Sequence, residues 1–242
     1  MKILHIIFIV LVCSNLYSQE FNQEYGYPQI VLIEYDPWAM AIGSDTPTFA
    51  LYDSGIVIYK DIENDINLSV KLTIQQKDSL INYFAISDSL FTLPEQIIAS
   101  YWTDQPDNTL YIIFDSVKAI NVYGSIRNVT EARAKTPKSF LDLFDKLISF
   151  KNDNAKIWLP DKIEAMVWDY SHSLGESLKW PEGWPDLNSP DTIDWGEMYS
   201  IYIDRKYYDD LIQFLKKRGE KQSIEINDKK FTVVLRFPFP NM

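Results

Sequence analysis

Cysteine and histidine are almost missing from the chain: one cysteine and two histidines in 242 residues. Cys13 and His5 both fall in the first eighteen residues, so a cleaved product keeps His172 alone. That inventory excludes a disulfide framework, a thiol nucleophile and a His-rich zinc site. Glycine is also scarce, with eight residues scattered singly, so no Gly-rich phosphate loop and no Gly-x-Ser-x-Gly elbow can be found. Basic residues are the minority, 23 against 34 acidic, and a formal charge of −11 argues against a nucleic-acid partner, whose phosphates demand a surplus of Lys and Arg. After residue 12 no apolar run approaches 18 residues, so no later segment reads as a membrane span.

What is present is a balance of 46% hydrophobic and 24% charged residues, the composition of a folded protein able to bury a core without crosslinks. The first residues stand apart. Met1-Lys2, an apolar run from Ile3 to Val12 and the small polar stretch Ser14 to Ser18 read as a secretory signal peptide over residues 1–18, with Gln19 or Asn15 as the new first residue. Cys13 directly follows the apolar run, where a lipoprotein would carry its lipid. Val12 is a poor residue before a lipidated cysteine, which favours an inert Cys13 over a lipid anchor. The expected location is the periplasm or envelope of a Gram-negative bacterium.

Periodicity gives an α+β expectation: antiparallel sheets built from hairpins, with three main helices packed on them. One α+β unit is read over residues 28–150. It holds a strand from Gln29 to Glu34, a hairpin of Phe49–Tyr52 and Ile56–Tyr59 about Asp53-Ser54-Gly55, a strand from Leu68, and a second hairpin of Tyr111–Phe114 and Ala119–Tyr123. Thr73 with Gln76 forms a capping box for a helix facing inward through Leu80, Ile81 and Phe84. Thr136-Pro137 opens another through Phe140, Leu143, Phe144 and Leu147. Residues 151–156 read as a linker. A second unit over 157–238 takes a strand from Lys162, a strand Tyr199–Ile203, a helix capped by Asp204 and ended by Lys216-Lys217-Arg218-Gly219, and a last hairpin through Asn227-Asp228-Lys229. Strand, helix and hairpin recur around Thr73 and Asp204, but the same helix offsets follow Thr136, so any capped amphipathic helix gives them.

Five of the seven tryptophans lie between 158 and 195, two of them in Trp180-Pro181-Glu182-Gly183-Trp184-Pro185-Asp186 within a loop read over 171–196. Two readings follow. The rings form a platform for stacking a sugar, with Glu182 and Asp186 bonding its hydroxyls, or they fold back as a lid on the second unit. Glu176 and Glu182 are candidates for a glycosidase acid pair only if their separation suits. Asp61, Glu63, Asp65 and Asn67 alternate as calcium loops do but lack the turn glycine and the closing glutamate; Asp186, Asn188, Asp191 and Asp194 form a looser cluster.

The run Pro47 to Tyr59, Leu72-Thr73, and Asn121-Val122-Tyr123-Gly124 before Pro137 resembles uncharacterised domains of bacterial exported proteins and lipoproteins, over residues 45–150, and the Trp-Pro loop resembles an element of their longer members. The resemblance implies export and an α+β fold; it brings no activity, cofactor or site residue. The inventory weighs against an enzyme. The leading expectation is a non-enzymatic binding or interaction module for a protein or glycan, monomeric or weakly oligomeric, with no cofactor and no metal. The alternatives are a carbohydrate module using the Trp-Pro loop, and an acidic inhibitor or immunity-type protein steered to a basic partner.

Overall fold

A computed structural model of the chain describes residues 21–39 and 43–242. The signal peptide over 1–18 and Cys13 lie outside the described residues. The fold is mixed α and β, with two open sheets. The first sheet takes β1 (Pro28–Tyr35), β2 (Phe49–Tyr52), β3 (Ile56–Asp61) and β4 (Ile66–Lys71), then, after helices α1 (Ile74–Phe84) and α2 (Asp88–Phe91), β5 (Gln96–Ile98), β6 (Asp107–Ile113) and β7 (Val117–Tyr123). Helices α3 (Glu131–Lys135) and α4 (Lys138–Ile148) follow, and β8 (Lys156–Ile157) returns to the sheet. The strand order is β5-β7-β6-β1-β2-β3-β4-β8. β1 is thus the joint between two hairpins, pairing β2 on one side and β6 on the other.

Alternation explains the layers. Ile30 and Leu32 of β1, Phe49 and Leu51 of β2, and Val57 and Tyr59 of β3 join one cluster with Phe84 of α1, Leu90 of α2 and Phe140, Leu143, Phe144 and Leu147 of α4. The capping box is present in α1: the Thr73 hydroxyl accepts from the Gln76 N–H at 3.2 Å, and the Gln76 carboxamide oxygen accepts from the Thr73 N–H at 2.9 Å. Gly55 takes the left-handed conformation, φ 84°, that its turn requires; a Cβ there would sit 2.9 Å from the Leu72 carbonyl.

The opposite face of β1 to β3 is also apolar. Val31, Ala50, Tyr52 and Ile58 are covered by Trp158 and by Phe239 from the final segment of the chain. Tyr52 donates its phenol to the Pro240 carbonyl at 2.9 Å. The Asn241 carboxamide donates to the Asn22 and Gly26 carbonyls and accepts from the Asn22 N–H. Trp158 donates its indole N–H to the Tyr25 hydroxyl at 3.0 Å.

The second sheet is built from β9 (Lys162–Asp169), β10 (Leu178–Lys179), β11 (Ile193–Asp194), β12 (Met198–Asp204), β13 (Ile224–Ile226) and β14 (Lys229–Arg236), in the order β10-β13-β14-β9-β12-β11. Helix α5 (Tyr208–Lys216) packs Leu211 and Phe214 on Ile163, Ala165, Ile201 and Val233.

Several details differ from the sequence expectation. The sheets are mixed: β5 runs parallel to β7 and β10 parallel to β13, each over two or three residues, too short for any periodicity to announce. A short helix, α3, precedes α4, and Thr136 bonds the Ala132 carbonyl at 2.9 Å. Asp204 ends β12 and makes no side-chain cap; a single 3-10 turn, Arg205–Tyr207, separates it from α5. That helix closes at Lys217 in a right-handed conformation, and Gly219 lies beyond the cap. Lys156, read at the end of a linker, pairs with Ser69 of β4.

Candidate functional site

A cleft of about 480 Å³ opens at the end of the first sheet where β1 finishes and β4 begins. Its lining includes the apolar side chains of Trp158, from the segment after β8, and of Leu235 and Phe237, from β14 and its continuation. Its rim is polar, and β1 dictates the position of the central group. Ile30, Leu32 and Glu34 share one face, so the first two enter the core and Glu34 emerges at its edge. There the carboxylate accepts from Arg127 through both oxygens, Nε to Oε1 at 2.7 Å and Nη2 to Oε2, and the Thr48 hydroxyl adds a third bond at 2.6 Å. A bidentate pair of this kind is directional and strong. It fastens the loop after β7 to the centre of the sheet. Lys60 and Asp65 make a second, more exposed pair at 2.8 Å across the β3–β4 turn.

Asp45 is a half-buried acid in the lining. Burial raises its carboxyl above the ordinary range, opposed by the Asp36 N–H that donates to it at 3.1 Å; the Asp36 carboxylate nearby raises it further, and Arg236 lowers it. For an acid held above its unfolded value, the stabilising contribution is complete below that value, 3.8, and is lost as pH rises through the folded value. The variant Asp45→Asn is therefore expected to gain thermal stability over the parent at neutral pH, with the gain vanishing near pH 3.8, as read by melting curves across that range. A gain that stayed constant with pH would contradict the burial of this carboxyl.

The chemistry on offer is hydrogen bonding beside apolar side chains. The charged groups of Glu34, Arg127, Lys60 and Asp65 are already neutralised in pairs. The only described histidine, His172, is exposed and stacks edge-on against Tyr170 at 4.8 Å, outside the cleft. Among the described residues no three His, Cys, Asp or Glu side chains converge as metal ligands. Asp61 instead organises its own hairpin turn, accepting from the Glu63 N–H and the Asn64 carboxamide.

No known protein family matches the chain, and neither does a curated protein or a solved structure.

None of Trp180, Trp184, Glu182 and Asp186 lines the cleft. Trp180 and Trp184 stand at 89° to one another, 5.5 Å apart, and both pack on Phe214 of α5 at 5.6 and 5.8 Å. The Trp180 indole donates to the Pro185 carbonyl at 2.8 Å, closing the loop on itself. The rings are half-buried on the core of the second sheet and do not form one flat surface. Glu182 points to solvent. Asp186 accepts from the Asn188 N–H, the Ser189 hydroxyl and the Asn227 carboxamide; the Asn227 bond comes first in holding its carboxyl below the usual range. It ties the loop to the β13–β14 turn.

The sequence reading did not bring the cleft residues together, yet one signal existed. A carboxylate on the same strand face as Ile30 and Leu32 is a charge at the rim of a core and demands a partner. That the partner is Arg127, 93 residues on, is information only the fold carries.

Proposed function

We propose that the protein is an exported, envelope-associated binding module without catalytic chemistry of its own, and that it receives a segment of a partner protein in the cleft beside Glu34 and Arg127. We take its scaffold as α+β, with three long helices, α1, α4 and α5, on sheets made largely of antiparallel hairpins. The observation that carries the reading is the cleft itself, where Trp158, Leu235 and Phe237 stand beside hydroxyls, two internally neutralised ion pairs and the acids Asp36 and Asp45. Such a surface suits an apolar side chain flanked by peptide groups. No helix among the described residues is long and apolar enough to cross a membrane. Export rests on the leader over residues 1–18, and the mass of the mature N-terminus distinguishes a free Gln19 or Asn15 from a lipidated Cys13.

A photo-crosslinking residue placed at Thr46, on the cleft rim, should give discrete protein adducts in the envelope fraction, while the same residue at the exposed Leu174 should not. Ile66→Trp, which fills the cleft from β4, should abolish the Thr46 adducts. Equal adducts at both positions, or adducts indifferent to Ile66→Trp, would sink this reading. Because the ion pairs are internal, association should persist in high salt. Collapse in salt would favour an acidic inhibitor steered by net charge.

A further inference from the structure

Two aromatic rings stand far out of the surface at a place the cleft does not use. Tyr101 and Trp102, in the connection between β5 and β6, are 85% and 76% exposed. Their backbone is held on both sides. The Ala99 and Ser100 N–H groups both donate to the Tyr123 carbonyl at 3.0 and 3.1 Å, and the Trp102 N–H donates to the Ser100 hydroxyl at 3.2 Å. The Tyr123 phenol donates to the Trp102 carbonyl at 3.0 Å and accepts from the Gln105 N–H at 3.3 Å. The core beneath is closed, with Ala99, Ile126 and Ala132 buried; a Cβ on Gly124 would lie 2.8 Å from the Ala132 methyl. The rings therefore have no interior place to enter, and ordering them on a ligand costs little backbone entropy.

Beside the rings, between the loop and α3, is a pocket of about 230 Å³ lined by Ser100, Gln105, Ser125, Thr130, Glu131 and Lys135. The Lys135 ammonium lies 5.1 Å over the Tyr101 ring and pairs with Glu131 at 2.6 Å. That hydrogen bond holds the Glu131 carboxyl below its ordinary range, so the pair stays ionised and internally balanced. The pocket thus presents hydrogen-bonding groups without a net charge, next to the faces of two rings.

We propose that the Tyr101–Trp102 loop and this pocket form a glycan-binding site that takes a neutral sugar ring. A sugar's C–H face stacks on the indole and its hydroxyls reach Gln105, Glu131 and the serines. The size argues for a glycan over a protein: two rings bury about 150–250 Å² each, short of the roughly 800 Å² that each partner buries in a stable protein interface. The pocket also falls below the about 300–1,000 Å³ of sites for drug-sized ligands, and suits one ring at a time. The acidic balance of the chain excludes stacked bases of nucleic acid. This site shares no lining residue with the cleft and stands independently of the function proposed for it.

The test is titration of the full chain with neutral hexasaccharides of β-1,4-glucose, β-1,4-N-acetylglucosamine, β-1,3-glucose and α-1,4-glucose, followed by tryptophan fluorescence and by retardation in gels containing the corresponding polymers. At least one should bind saturably. Trp102→Ala should weaken it about tenfold or more, equivalent to about 1.4 kcal/mol, and Trp102→Phe by less. Trp38→Ala, which removes another exposed indole outside the pocket, and the cleft-filling Ile66→Trp should leave binding unchanged. Melting temperatures of the Trp102 variants should match the parent, since the ring is mostly in solvent. The proposal is overturned if none of the four sugars binds, if Trp102→Ala binds as the parent does, or if Trp102→Ala abolishes a self-association seen by light scattering and no sugar binding.

Discussion

Phe239→Ala should cost the protein about 3–5 kcal/mol of stability, the range for removing a fully buried phenylalanine. Phe239 is 2% exposed, packs edge-on against Trp158 at 5.0 Å, and covers Val31, Ala50, Tyr52 and Ile58. Few other groups can close over that face. Its neighbours in the final segment are bonded to the first half: Pro240 to Tyr52, and Asn241 to Asn22 and Gly26. Burial holds the Tyr52 phenol far above its ordinary range, so it remains a donor to Pro240 at any pH below the tyrosine value of 10.0. Loss of the Phe239 ring should loosen the whole segment. The checks are denaturant titration, a red shift of Trp158 emission, and faster amide exchange around Asn22 and Gly26. A loss below about 1 kcal/mol, the level of an ordinary surface change, would mean that the segment is not part of the core.

The second large effect is expected in the other sheet. Glu164, in the middle of β9, is 2% exposed. Its Oε1 accepts from the Ser200 hydroxyl at 2.6 Å, which in turn accepts from the Trp195 indole at 3.0 Å; its Oε2 accepts from Arg236 at 3.0 Å. Arg236 faces Glu164 directly across the β14–β9 ladder. The two members are not equivalent. The Arg236 side chain is about one-third exposed and can recover water, whereas the carboxylate cannot. Arg236→Met should therefore be the worse single change, costing about 3–5 kcal/mol by stranding a buried charge. Glu164→Gln should cost less, and the double change to two methionines should recover most of the loss, because well-packed apolar groups often replace a buried pair without penalty. Comparable losses for both single variants would contradict this asymmetry.

How much of this was legible in the sequence depends on the range of the interactions. The capping box at Thr73, the turn at Gly55 and the inward face of α4 are written in residues within four positions of each other, and all three are in the structure. The role of β1 as joint between two hairpins is not, because its partners are chosen by the whole sheet. The docking of the segment after β14 has no local signal, because the partners of Pro240 and Asn241 are Tyr52, Asn22 and Gly26, at least 188 residues earlier. The Trp-Pro loop was recognisable as a special element, but its position depended on Phe214 projecting from α5 beneath it. For the cleft, the alternation of β1 puts Glu34 on the face of Ile30 and Leu32, while nothing near it in sequence names Arg127 as its partner.

The closure by Phe239 also has a meaning in time. A chain emerging from its N-terminus completes β1, β2 and β3 first, while Phe239, which packs on their outer face, is made only after every strand of the second sheet. Until then Val31, Ala50, Tyr52 and Ile58 lack part of their cover on a paired sheet, the kind of surface that associates with other chains. Contacts joining residue 52 to 240 and residue 22 to 241 are also the slowest sort to form. The first sheet must therefore wait, and whatever escorts the growing chain has this face to hold.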